Sequence, residues 1–197
     1  MLYILQEIKV EKVIIGKQHD TCENYEKFQR IVNVKKINVH IVEAGNRIQI
    51  DNSLYFYVVW PTSTNMISNN AINNNSLVCK LIYKNFSMLF TGDIEEIAEK
   101  AILSKYVNKQ ELLNADILKV AHHGSKTSSI KEFINAVSPK YAVIGVGKDN
   151  KFGHPSEKTL ETLNNKKVKT YRTDISGELV IMTDGNNVKT KCFYDTS

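Results

Sequence analysis

The sequence predicts a layered α/β or α+β fold, and two observations carry that reading. Between residues 37 and 60 the pattern is β-like, as INVHIV, RIQI and LYFYVVW, rich in the branched and aromatic residues that suit strands. From residue 93 onward, helical and strand-like segments alternate, the rhythm of parallel strands joined by crossover helices. With 197 residues and 42% hydrophobic content, the chain can bury one sizeable core.

Each element follows from local pattern. Leu2, Leu5 and Ile8, with Ile4 beside them, recur at helical spacing, so residues 1–9 read as the end of an amphipathic helix. VEKVIIG is a short strand closed by Gly16. Asp20 or Thr21 stands where it would cap a helix over 22–34, with Tyr25, Phe28 and Ile31 on the buried face. Residues 62–75, TSTNMISNNAINNN, lack any period and read as a surface loop. SLVCKLIY and SMLFTGD form a hairpin around Lys84, Asn85 and Phe86. IEEIAEKAILSKY is a helix with Asp93 as its cap, and ADILKVA is a buried strand. SSIKEFINAV is a helix capped by Ser128 or Ser129 and stopped by Pro139. YAVIGVG is a strand, and PSEKTLETLNN a helix with Pro155 in its first turn. VKTYRT, GELVIMT and VKTKCFY close the chain as strands, with no internal repeat along the way.

Composition excludes some classes. No apolar run approaches the roughly 18–20 residues of a membrane span, and charges interrupt the opening stretch at Glu7, Lys9, Glu11 and Lys12, unlike a signal peptide. Cys22, Cys79 and Cys192 are odd in number and widely spaced, so neither a zinc knuckle nor a disulfide framework is expected. Reduced thiols fit a cytoplasmic setting for the chain as written. The net charge of +5 is compatible with a polyanionic partner without requiring one.

Four short stretches at strand ends concentrate the chemistry: Asn75-Ser76, Thr91-Gly92-Asp93, His122-His123-Gly124-Ser125 and Gly153-His154-Pro155. Loops at strand ends are where side chains from distant segments converge. Gly92 lets the backbone turn so that the Asp93 carboxylate leaves the strand end, where it can cap a helix or bridge cations. Two adjacent histidines after an apolar run sit poorly in a core. On a strand they would face opposite sides, one free to ligate metal and the other to orient it or meet substrate. His154, just ahead of a helix N-terminus, suits an anion nearby, with the imidazole as proton donor. His19 and His40 have no ligand-spaced neighbours and read as structural. Ser125 with a histidine lacks the G-x-S-x-G elbow of a serine hydrolase.

Taken together, NNNSLVCKL, FTGDIEEIAEK, ADILKVAHHGSKTSS, VSPKYAVIGVG, FGHPSEKTLETL and YRTDISGELVI resemble the later part of a metallo-β-lactamase-fold domain. The nearest subgroup is the ComEC-like one, associated with competence and DNA uptake. The resemblance runs through nearly the whole chain, so residues 1–197 are expected to be one partial domain of the αββα sandwich type. It implies a metal site in which Asp93 is the bridging carboxylate and His122 or His123 the late histidine ligand. It places Asn75, Ser125 and His154 on the substrate side, and Asp174 at a family position without an assigned task. The implied catalytic set is Asp93, His123 and His154. Zinc is the expected divalent metal, with manganese second. Nucleic acid or another phosphodiester is the expected substrate. A larger ComEC-like protein would put the chain at a membrane or outside the cytoplasm.

One motif of the group, H-x-H-x-D-H, is not in these 197 residues. The resemblance places it just before the opening helix, so the domain is expected to be N-terminally truncated. Weak metal binding and self-association through the incomplete sheet follow as expectations. The competing expectation is a non-catalytic remnant that serves as a binding or assembly module.

Overall fold

A computed structural model describes residues 2–17 and 22–194. His19 and the expected cap at Asp20 or Thr21 lie outside the described residues. The opening unit is α1 (Leu2–Glu7), β1 (Lys12–Gly16), α2 (Glu23–Val34) and β2 (Asn38–Val42), with β1 and β2 paired in parallel. A parallel pair needs a crossover, and α2 supplies it. Leu5, Phe28, Val32 and Ile37 bury together as a small core, while Tyr25 and Ile31 pack at its edge rather than inside it.

The body is a seven-stranded sheet whose spatial order follows the sequence: β3 (Arg47–Gln49), β4 (Leu54–Trp60), β5 (Val78–Tyr83), β6 (Phe86–Phe90), β7 (Ile117–Lys119), β8 (Tyr141–Ile144) and β9 (Lys169–Arg172). The first four run antiparallel, and from β6 to β9 every pairing is parallel. Each parallel step is bridged by a helix: α4 (Glu96–Lys105), α5 (Lys131–Val137) and α6 (Glu157–Asn165). Crossovers of one hand that advance in one direction across a sheet put their helices on one face. Ala98 and Ile102 of α4, Phe133 and Ile134 of α5 and Leu163 of α6 accordingly share one core with Trp60, Leu89, Leu118 and Ile144. The buried polar tips are satisfied: Trp60 Nε1 donates to the Asn74 carbonyl at 2.7 Å and the Tyr106 hydroxyl to the Val59 carbonyl at 3.2 Å. A two-stranded antiparallel hairpin, β10 (Leu179–Thr183) and β11 (Val188–Cys192), follows the short helix α7 (Thr173–Ser176).

Several local expectations give way. The 62–75 stretch contains a helical turn, α3 (Ala71–Asn74), and Asn74 and Asn75 are buried. Their amides bond the loop's own backbone, which is what lets polar residues sit inside. Asp93 is not the cap of α4, because the N-cap position falls on Glu95. Ser128 and Ser129 do not cap α5. Its N-cap is Ile130, and Glu99 reaches across from α4 to accept the N–H groups of Ser129 and Ile130 at 2.7 and 2.9 Å. Pro155 precedes its helix by two residues, and Ser156 takes the cap with its hydroxyl accepting from Thr159 N. Among the described residues no helix is long and apolar enough to cross a membrane.

Candidate active site at the carboxyl ends of the parallel strands

Parallel strands direct all their carboxyl ends to one edge, where the loops after β6, β7, β8 and β9 meet. The β6 loop is fixed by Thr91, whose hydroxyl donates to the Lys119 carbonyl at 2.6 Å. Gly92 follows with φ +56°, and a Cβ there would stand 2.7 Å from that of Ser76. Only glycine satisfies both the backbone angle and the space. The Ser76 hydroxyl then accepts the Asp93 N–H at 3.2 Å, leaving the carboxylate half-exposed at the edge.

The β7 strand ends at Lys119, and the histidines occupy the tight turn Ala121–Gly124 rather than the strand itself. Both hold left-handed backbone angles, φ 46° at His122 and 55° at His123. Strand alternation therefore does not separate them, and the turn does. His123 Nδ1 lies 2.5 Å from the Gly145 carbonyl. An oxygen that only accepts requires the proton on Nδ1, so in the neutral ring the lone pair sits on Nε2. That Nε2 is 3.8 Å from Asp93 Oδ1. His122 turns the other way. Its Nδ1 is buried without a hydrogen bond, 3.5 Å from Glu95 Oε1, and its ring meets that of His154 edge-on at 5.7 Å.

His154 comes from the loop after β8. Its titration lies below the ordinary histidine value, first through burial and then through repulsion by His122 and His123. Lys119 runs beneath Gly145 and is also held low by burial, with the Asp93 carboxylate opposing that shift. Ser125 is buried, its hydroxyl paired with that of Thr127 at 3.0 Å. Asn75 is buried too: its amide nitrogen donates to the Ile67 and Ala71 carbonyls and its oxygen accepts from Ile67 N. Asp174 forms a two-pronged pair with Arg172 at 3.1 and 2.6 Å, which gives that position a structural task.

A lone-pair nitrogen and a carboxylate oxygen 3.8 Å apart, with the other ring nitrogen fixed by a carbonyl, are spaced as two ligands of one ion at about 2.0–2.2 Å each. The fit stops there. Among the described residues no three His, Cys, Asp or Glu side chains converge on one point, and a hydrolytic zinc centre takes three protein ligands.

Comparison with known proteins bears on the family and the fold. No family model matches the chain. It is 33% identical over 176 residues to the ComE operon protein 3 of Bacillus subtilis (strain 168), a match covering 89% of this chain and 22% of that one. It is 37% identical over 107 residues to the competence protein ComA of Neisseria gonorrhoeae, covering 54% and 15% respectively. Among solved structures it resembles CmlA, a diiron beta-hydroxylase from Streptomyces venezuelae, with a TM-score of 0.54 at 12% identity over 86% of this chain and 39% of that one. The chain is a ComEC-like protein of the metallo-β-lactamase fold. It spans only about a fifth of the length of the first of these competence relatives.

Around the ComEC-like motifs stand residues that reading the sequence did not single out. Glu95 accepts from Thr127 Oγ1 at 3.0 Å, Asn70 Nδ2 at 3.0 Å and Asn74 Nδ2 at 3.3 Å, while its own N–H donates to Asn74 Oδ1 at 3.0 Å. It is thereby fixed beside His122. Asn150 closes the 147–154 loop, donating to the Gly147 and His154 carbonyls at 3.1 and 2.7 Å and accepting His154 N at 2.9 Å. The sequence signal for Asn150 is an asparagine in a glycine- and lysine-bearing turn. In the sequence Glu95 is one more acid at a helix start.

Proposed function

We propose that this chain carries part of a metal-dependent hydrolytic centre that acts on phosphodiester bonds, with nucleic acid as the substrate class in a competence-related setting. The observation that carries the reading is the pair His123 Nε2 and Asp93 Oδ1, 3.8 Å apart at the end of parallel strands. Asp93 and His123 would hold the ion, zinc first and manganese second. The remaining donors would come from the H-x-H-x-D-H segment that the resemblance assigns upstream. A divalent ion in such a centre supplies Lewis acidity toward a phosphoryl oxygen and acidifies water.

The chain's own contribution is positioning and charge. Gly145 holds His123 in the tautomer that presents Nε2, and Ser76 aims Asp93. Burial first, and then repulsion by the neighbouring His122 and His123, hold the titration of His154 below the ordinary histidine value. A phosphodiester among the three rings would offset that repulsion and favour an N–H donated to its oxygen. The test is elemental analysis and hydrolysis of bis(4-nitrophenyl) phosphate, comparing this chain with a version extended in frame through an H-x-H-x-D-H. Stoichiometric metal and turnover in the extended protein, both lost in Asp93→Ala and His123→Ala, are expected. Turnover that survives both substitutions overturns the assignment.

A second reading is favoured by the convergence of only two donors among the described residues: a binding or assembly module without hydrolysis. Its outcome is an extended protein that takes up no metal and cleaves neither small nor polymeric phosphodiesters.

A further inference from the structure

The loop after β8 carries a feature that neither the metal donors nor the fold uses. Phe152 is 81% exposed, a large apolar surface to leave in water. Its ring lies nearly parallel to that of His154, at 5.9 Å and 24°, and it keeps an open face toward water. The loop beneath it is not slack, since Asn150 ties its turn at three points. On its other side Thr173 Oγ1 accepts the Val146 N–H at 2.7 Å and donates to the Val146 carbonyl at 2.8 Å. Between these supports opens a cavity of about 360 Å³ lined by Phe152, His154, Gly145, Val146, Gly147 and His123. Two of these lining residues, Gly145 and Gly147, add no side chain to the space.

We propose that this cavity takes a nucleobase of a single-stranded polynucleotide, stacked on the open face of Phe152, while the adjoining phosphate lies beside Asp93 and His123. The proposal rests on the phosphodiester reading above and goes beyond it by naming a base-binding pocket and the strandedness of the substrate. The volume falls within the range of about 300–1,000 Å³ for small-molecule sites. Base stacking on aromatic rings is tolerant of sequence because every base has a π-face. His123 lines both the cavity and the gap to Asp93, so base and phosphate would sit one nucleotide apart. A base inside a duplex has both faces covered by its neighbours, so the strand must be single or frayed at its end. Lys148 and Lys151 are exposed on the same loop with Asp149 between them, leaving it one net positive charge for the flanking phosphates.

The test uses the whole chain with chelator present and reads binding by fluorescence anisotropy. The probes are a short labelled oligothymidylate and an abasic strand of the same length, and the variants are Phe152→Ala and Phe152→Trp. Phe152→Ala is expected to weaken the base-bearing strand roughly tenfold and to leave the abasic strand unchanged. Phe152→Trp is expected to restore binding, with its indole emission quenched by the oligonucleotide over the constant background of buried Trp60. Equal binding of oligothymidylate by wild type and Phe152→Ala overturns the proposal, and so does an equal loss on both strands. The two readings can fail separately. Phe152-dependent binding without phosphodiester cleavage by the metal-loaded extended protein upholds the base pocket and sinks the hydrolase. Cleavage of bis(4-nitrophenyl) phosphate with oligonucleotide binding indifferent to Phe152 does the reverse.

Discussion

On one side of the cleft Glu95 is held by Asn70, Asn74 and Thr127, and behind it Glu99 bridges α4 to the start of α5. On the other side the 147–154 loop depends on Asn150 for its inner bonds and exposes Phe152 at its tip. The first wall is buried only at Asn74 and Glu99, and it is made of bonds between distant segments. The second is local and wet. A wall cross-linked between segments keeps His122 and the β6 loop in fixed register, and one tied only within its own loop leaves room for something to enter. The contrast teaches where substitution costs stability and where it costs binding.

Glu99→Ala is the sharpest way to break the first wall. It strands two buried N–H groups at the start of α5, and each unsatisfied donor costs about 1–3 kcal/mol. Denaturant unfolding is expected to show a loss of roughly 3 kcal/mol or more. Its pH dependence gives a second handle. Burial pushes the Glu99 carboxyl up from 4.5 to about 7, outweighing the N–H groups of Ile130 and Ser129 that pull it down. A carboxyl raised on folding takes up a proton between those values. Its stabilising contribution is therefore fully present below about pH 4.5 and lost as pH rises through 7. The stability of wild type relative to Glu99→Gln should fall across that window, and a flat difference would show that the two N–H donors dominate instead.

Next in size is Asn74→Ala. This side chain is fully buried and bonds the Asn69 carbonyl and both the carboxylate and the N–H of Glu95. A loss of about 2 kcal/mol is expected, together with faster amide exchange through 70–76. Loss of stability without faster exchange there would mean that Asn74 supports the core rather than the wall.

What could be read from the sequence divides along the same line. Asp93, His122, His123 and His154 are legible because they stand in short strand-end motifs with glycine beside them. The sheet is legible because βαβ rhythm needs only local pattern. Glu95 and Glu99 are not, since Glu95, Glu96 and Glu99 with Lys100 look like the solvated face of a helix. One pair obeys that reading: Glu96 bonds Lys100 at 2.6 Å. Glu99 is buried because α5 starts against it about 30 residues later, and no local pattern encodes that. The asparagines of 62–75 misled in the same way. Polar composition signalled a surface, whereas the amides are buried by satisfying backbone groups. Strand alternation does not govern the histidine pair, because left-handed backbone angles put both residues on a turn.

The open wall should answer differently. Asn150→Ala removes three bonds, all within the 147–154 loop, at an expected cost near 1 kcal/mol, while proteolysis within the loop accelerates and oligonucleotide binding weakens. Unchanged proteolysis would mean that Thr173 and the strand ends suffice to hold it.

The smallest stability effect belongs to His123. Its side chain is about half-exposed, and its bond to the Gly145 carbonyl closes no buried group of its own, so His123→Ala should move the unfolding free energy by no more than about 0.5 kcal/mol. Metal uptake by the extended protein should nonetheless collapse. His122→Ala supplies the control. That ring is more buried, beside Glu95 and edge-on to His154, so its loss should cost more stability and less metal. If the two substitutions exchange these outcomes, the ligand is His122, and the tautomer fixed by Gly145 serves substrate rather than metal.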